Sequence, residues 1–74
     1  MNRERRARLR QAVELFNQGT EVLEDVLADE EAALDSMPEN LQGSDMYATL
    51  EENVETLSQA VDDMNELVEN IADL

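Results

Sequence analysis

Apolar residues repeat at alternating steps of three and four along two stretches of this 74-residue chain. The first repeat comprises Leu9, Val13, Phe16, Thr20, Leu23, Leu27, Glu30, Leu34 and Met37. The second comprises Tyr47, Leu50, Val54, Leu57, Val61, Met64, Val68 and Ile71. Such heptad spacing is typical of helices that pack side by side at a shallow angle. We therefore predict an all-α fold in which the apolar members of both repeats pack two long helices together.

A single break separates the two repeats. Pro38 cannot continue a helix interior without losing a hydrogen bond and clashing with the preceding turn. Gly43 provides a second point at which a helix can end. We predict one domain, an antiparallel two-helix hairpin with helix one over about 3–36, a linker over about 37–44 and helix two over about 45–72.

Polar residues in the break have the spacing of helix caps. Ser44 or Asp45 can accept hydrogen bonds from the first amide groups of helix two. Ser36 and Glu39 fit a capping box, in which each side chain bonds the backbone amide of the other residue. This box predicts a short helical turn over 37–41.

We call each of the two heptad repeats a seam. A row of positions at sevenfold spacing runs beside each seam. The row consists of Ala12, Gly19, Val26 and Ala33 on helix one, and of Asn53, Ala60, Leu67 and Leu74 on helix two. Two helices alone bury one stripe each, which is little for independent stability. Homodimerisation into a four-helix bundle would supply a further layer, and a partner's helix would fill the same groove. The sequence leaves a dimer and a monomeric hairpin both open.

Several residue types with chemical roles are missing. The chain has no Cys, no His, no Lys and no Trp. The absence of Cys and His removes disulfides, thiolate metal sites, and the commonest general base and metal ligand. The absence of Lys excludes a Schiff base and a phosphate-binding loop lysine. We predict a protein that is not an enzyme and that uses no cofactor and no metal.

The basic opening of the chain is not followed by an apolar segment. Polar residues interrupt the stretch in which a signal peptide would have its hydrophobic region: Gln11, Glu14, Asn17 and Gln18. No later run approaches the length of a membrane span. A net charge of −14 would also be repelled by anionic membrane surfaces. We expect a cytoplasmic protein without a membrane partner.

Charges are strongly segregated along the chain. All five cations lie between Arg3 and Arg10, and 18 of the 19 carboxylates follow Arg10. On helix two, a carboxylate stripe faces away from the predicted seam and comprises Glu52, Glu55, Asp62, Glu66, Glu69 and Asp73. A second acidic group on helix one comprises Glu24, Asp25, Asp29 and Glu31. An ordinary helix would intersperse Lys among these residues, because opposite charges three or four residues apart support each other.

Carboxylates spaced along a rod can imitate a phosphate backbone. A basic nucleic-acid channel would attract them by the electrostatics that draw nucleic acid. We predict that the two acidic groups bind a basic nucleic-acid-binding protein, with an ordinary solvated face as the alternative. Direct binding of nucleic acid is not expected, because 18 carboxylates repel phosphate.

Two further features allow a structural and a functional interpretation. The cationic cluster consists of Arg3, Arg5, Arg6, Arg8 and Arg10. It can clasp carboxylates near the end of helix two or of a second copy through bidentate hydrogen bonds, or act as an interaction arm. Glu30 occupies a seam position, where a polar residue can fix helix register or contact a basic partner.

The linker from Asp35 to Ser44, DSMPENLQGS, resembles that of small acidic helical-hairpin proteins encoded in phages, prophages and other bacterial mobile elements. The Arg-rich opening and the second helix of alternating Val/Leu and Asp/Glu are similar too. The resemblance implies the biological context of the protein, but it identifies no functional residues. Small acidic phage proteins of this kind often antagonise the nucleic-acid-binding machinery of the host, as anti-CRISPR and anti-restriction proteins do.

We therefore expect a non-enzymatic inhibitor that blocks a basic nucleic-acid-binding host protein by charge mimicry of DNA or RNA. The alternative is a structural or adaptor hairpin that acts through coiled-coil self-association or by docking on a partner helix. In that case the seam residues Leu23, Leu57 and Val61 would carry the function.

Overall fold

The computed structural model describes the whole chain, residues 1–74, as two long helices. Helix α1 spans Arg3–Asp35 and helix α2 spans Asp45–Ala72, with a 3₁₀ turn over Glu39–Leu41 between them. The two helices pack against each other and no strand is present. The molecule is a rod with extents of 59 × 15 × 13 Å. The predicted all-α helical hairpin is confirmed.

Short polar side chains start both helices. The Asn2 side chain accepts a hydrogen bond of 2.8 Å from the Arg5 backbone N–H and thereby caps α1. Ser44 caps α2, where its hydroxyl oxygen accepts from the Tyr47 N–H at 3.3 Å and donates to the Leu41 carbonyl at 2.6 Å. Ser44 therefore joins the end of the linker to the start of α2. Of the two predicted caps, Ser44 and Asp45, the structure uses Ser44.

The predicted capping box between Ser36 and Glu39 is wrong. The Ser36 hydroxyl instead donates to the Ala32 carbonyl at 2.7 Å, so it completes the end of α1 and does not start a new turn. The 3₁₀ turn begins only after Pro38, whose backbone is extended, and it has no side-chain cap. Ser and Thr side chains compete for the carbonyl one turn back in this way.

The seam is the only core of the molecule. Its residues are buried or half-buried, apart from Phe16, which is 36% exposed. Only Val61 and Thr20 are fully buried, with exposed fractions of 9% and 5%. The Thr20 hydroxyl donates to the Phe16 carbonyl at 2.8 Å, which satisfies the one buried polar side chain within its own helix.

This core is thin for a chain of 8.4 kDa. The solvent-accessible surface is 5750 Å², whereas a compact monomer of this mass exposes about 4600 Å². The radius of gyration is 17.1 Å, against about 11 Å for a compact domain of this length. The isolated hairpin therefore keeps roughly 1100 Å² more surface in water than a globular fold would.

Replacing Ser44 by Ala should lower the free energy of unfolding by about 1 kcal/mol, because α2 loses its N-terminal cap. The same replacement at Ser36 is a matched control. Its hydroxyl donates to a carbonyl that already accepts from the Ser36 N–H, so a change below about 0.5 kcal/mol is expected. Urea denaturation followed by helical circular dichroism measures both. An equal loss at Ser36 would contradict the cap assignment.

Candidate acidic interaction surface

The carboxylate stripe of α2 is fully available to a partner. All six of its members are exposed, and helical periodicity places them on the side of α2 turned away from the seam. From Glu52 to Asp73 the stripe extends about 32 Å at 1.5 Å per residue. It therefore covers more than half of the 59 Å rod.

The four acidic residues predicted on α1 are exposed as well, but they do not form one patch. Glu24 and Glu31 lie on one edge of the seam, at heptad positions that face the same side as Glu51 of α2. Asp25 points outward from the rod. Asp29 lies nearly half a turn round the helix from Glu24 and belongs to the opposite side of the hairpin. The structure thus divides this predicted group between two sides of the molecule.

The arginine cluster lies at one end of the rod, beside the end of α2. Arg6 and Arg10 border a shallow depression together with Leu9, Ala72 and Leu74. All five arginine side chains are exposed. The hydrogen bonds between side chains join Asn53 to Glu30 and Gln59 to Asp63, and neither involves a guanidinium group. The clasp and the interaction arm both stay predictions.

Glu30 is half-buried at the seam and is held by a residue of the other helix. The Asn53 Nδ2 group donates to Glu30 Oε2 at 3.1 Å, across 23 residues of sequence. This contact joins the helices directly and favours the register interpretation of Glu30. Sequence reasoning placed Asn53 in the row beside the seam but did not pair it with Glu30. An amide in an otherwise apolar row is the signal that would have suggested the pair.

A second surface is apolar, and three of its members belong to the row predicted beside the seam. On α1, five residues repeat at steps of three and four about a quarter turn from the seam, and we call them the lateral stripe: Ala12, Leu15, Gly19, Val22 and Val26. Leu15 and Val22 are 60% and 62% exposed, and Val26 is 44% exposed. Val26 borders a shallow depression with Asn53 and Thr56 of α2, so the lateral stripe continues onto that side of α2.

Other site types find no support among these residues. No three acidic side chains converge in a way that could hold a metal ion. Neither helix has a stretch long and apolar enough to cross a bilayer. The exposed acidic surface and the lateral stripe are the features that the fold presents to its surroundings.

Comparison with protein-family models, with curated proteins and with solved structures found no match for this chain.

The contact between Glu30 and Asn53 should contribute a measurable coupling energy. We expect a double-mutant cycle with Glu30→Ala and Asn53→Ala to give about 0.5–1 kcal/mol, because the hydrogen bond has a charged acceptor but lies near solvent. Urea unfolding of the four proteins measures it. The pair Gln59 and Asp63 on α2 is the control, since its hydrogen bond lies within one helix. A coupling of zero would mean that this hydrogen bond does not stabilise the register of the two helices.

The like charges of the hairpin should make its stability depend on ionic strength. Eighteen carboxylates follow Arg10 without one cation among them. Raising NaCl from about 0.01 M to 0.15 M shortens the Debye length from about 30 Å to about 8 Å and weakens their repulsion. We expect a higher urea midpoint at the higher salt concentration. A midpoint that falls would mean that attractive ion pairs dominate.

Proposed function

We propose that this protein is a non-enzymatic inhibitor that occupies the nucleic-acid-binding surface of a basic protein by imitating the charge of a nucleic-acid strand. The observation that carries the proposal is the set of exposed carboxylates, with no cation among them after Arg10, on a rod 59 Å long. A merely solvated face needs polarity, but it does not need the absence of every cation over 64 residues.

The linear charge density of the rod supports a strand-like partner site. Eighteen carboxylates divided over the 59 Å axis give about one charge per 3.3 Å. Duplex DNA has one charge per about 1.7 Å of axis, and each of its strands has one per about 3.4 Å. Averaged over the axis, the carboxylates are therefore about as dense as the phosphates of one strand, although the five arginines offset them at one end of the rod. A groove built for one strand would receive the cation-free part of the hairpin.

The rod shape adds a second argument, which concerns preorganisation. Both acidic groups lie on long helices that are already formed in the free hairpin. The spacing between their carboxylates is therefore fixed before a partner binds. Binding then orders few residues, and the entropic cost of association is small. The resemblance of the linker and flanks to phage-encoded acidic proteins favours a bacterial nucleic-acid-binding protein as the partner. The acidic groups of α1 and α2 make the contacts.

The adaptor alternative receives no support from the seam. Its predicted functional residues Leu23, Leu57 and Val61 are half-buried or buried between α1 and α2. They cannot dock on a partner helix unless the hairpin opens. Substitutions at these positions would therefore report on folding before they report on binding.

The proposal is tested by competition with immobilised DNA. Bacterial lysate is bound to a DNA column, the hairpin is applied, and the released proteins are identified by mass spectrometry. The test variant removes four charges of the α2 stripe through Glu55→Gln, Asp62→Asn, Glu66→Gln and Glu69→Gln. We expect wild type to release a specific protein and this variant to release at least tenfold less, because directed electrostatic attraction is lost.

A matched variant removes four charges elsewhere through Glu4→Gln, Asp35→Asn, Glu39→Gln and Glu51→Gln. Both variants have a net charge of −10, which is the wild-type −14 less four negative charges. The control should retain release, since the stripe is intact. Equal loss of release by both variants would mean that release depends on net charge and not on the position of the α2 stripe. Release by wild type that is unchanged between about 0.05 M and 0.5 M salt would also contradict charge mimicry.

A further inference from the structure

The lateral stripe has the features of a helix-packing surface but packs on nothing within the hairpin. Its three large apolar residues, Leu15, Val22 and Val26, are 60%, 62% and 44% exposed. A Cβ atom added at Gly19 would meet no atom within 4 Å, so no contact inside the chain requires a glycine there. Glycine in a helix interior is less favourable than alanine by about 1 kcal/mol. Close approach of another helix would account for it.

Charges bound the lateral stripe at both ends with opposite sign. Arg8 precedes Ala12 by four residues, and Asp29 follows Val26 by three, on the same side of α1. Both side chains are exposed. Arg8 and Asp29 are about 32 Å apart along the helix at 1.5 Å per residue, and no member of the lateral stripe between them is charged. Elsewhere on α1, exposed carboxylates are frequent.

The pattern is nearly symmetric about Gly19. Arg8 lies eleven residues before Gly19 and Asp29 lies ten residues after it, while Ala12 and Val26 each lie seven residues away. We infer that a second copy of this chain packs on the lateral stripe, with the two α1 helices antiparallel and a two-fold axis at Gly19. In this arrangement Ala12 of one copy faces Val26 of its partner, and Arg8 faces Asp29 at both ends.

Charge decides the orientation. A parallel pairing would set Arg8 against Arg8 and Asp29 against Asp29, and like charges in contact oppose association. The antiparallel pairing converts both ends into attractive contacts. It also places the carboxylates of the α2 stripe on the outer sides of the pair, because that stripe faces away from the seam.

The area supports a second copy as the occupant. An isologous interface of standard size buries about 800 Å² on each partner. The hairpin exposes roughly 1100 Å² more than a compact monomer of its mass, so one such contact removes most of the excess. Ala60 and Leu67 lie on the adjoining side of α2, and Leu67 is 42% exposed, so they widen the surface into that of a four-helix bundle. This inference does not depend on the proposed function.

Oligomeric state in solution tests the surface. In light scattering coupled to size-exclusion chromatography at about 0.15 M salt, wild type should have twice the 8.4 kDa mass of one chain. Val22→Glu and Leu15→Glu should each return the monomer mass with helicity unchanged, because both positions are exposed in the hairpin. Ala32→Glu adds the same charge on the outer side of α1 and should leave the dimer intact. A monomeric wild type, or a dimer insensitive to both substitutions, would overturn the inference.

Single cysteines test the orientation, since the chain has none of its own. Gly19→Cys lies on the two-fold axis and should give a disulfide-linked dimer on oxidation, because helices 8–10 Å apart bring facing residues within disulfide reach. Ala12→Cys and Val26→Cys should not cross-link alone, but a mixture of the two should form a mixed dimer. Cross-linking of Ala12→Cys with itself would show a parallel pair and overturn the assignment.

Discussion

The contact between the two heptad seams is the interaction on which this molecule depends. Within one hairpin the helices have no disulfide and no second layer, and only Thr20 and Val61 are fully buried. The seam must stabilise the hairpin against the repulsion of carboxylates on both helices. Glu30 and Thr20 reduce the apolar contact area of the seam, because both side chains are polar. The polar atoms of each make a hydrogen bond. These polar seam residues therefore lower the stability of the hairpin but define how the two helices pair.

Periodicity allowed the architecture to be predicted because the heptad spacing, Pro38 and the caps all indicate the same structure. Helix boundaries followed to within one residue, with α1 ending at Asp35. The capping box failed because Ser36 had two backbone groups within reach, and sequence does not rank them. Asn53 could not be identified as the partner of Glu30 from sequence, because the pairing depends on how the two helices align along their length. Ala12, Gly19 and Val26 of the lateral stripe were predicted beside the seam, but Leu15 and Val22 were not, because they lie outside that sevenfold row and only their exposure reveals them.

The hairpin separates its surfaces by chemical character. Apolar residues of the lateral stripe occupy one side of α1, while the α2 stripe and the pair Glu24 and Glu31 point elsewhere. A chain this acidic can associate with itself only where its carboxylates are absent, and with a basic partner only where they are dense. Self-association would occupy Asp29 of α1 but would leave the α2 stripe of each copy exposed, because that stripe is distinct from the lateral stripe. Two α2 stripes would then be displayed by one particle.

The antiparallel arrangement also gives the rod an electric dipole moment along its axis. Leu9 lies beside Ala72 and Glu30 beside Asn53, so residue 20 stands level with about residue 62. The half that contains residues 1–19 and 63–74 has five arginines against six carboxylates, a net charge of −1. The half formed by residues 20–62 has 13 carboxylates and no cation, a net charge of −13. In the field of a basic protein, a single hairpin would therefore rotate until its linker end leads, and first contact would be made there.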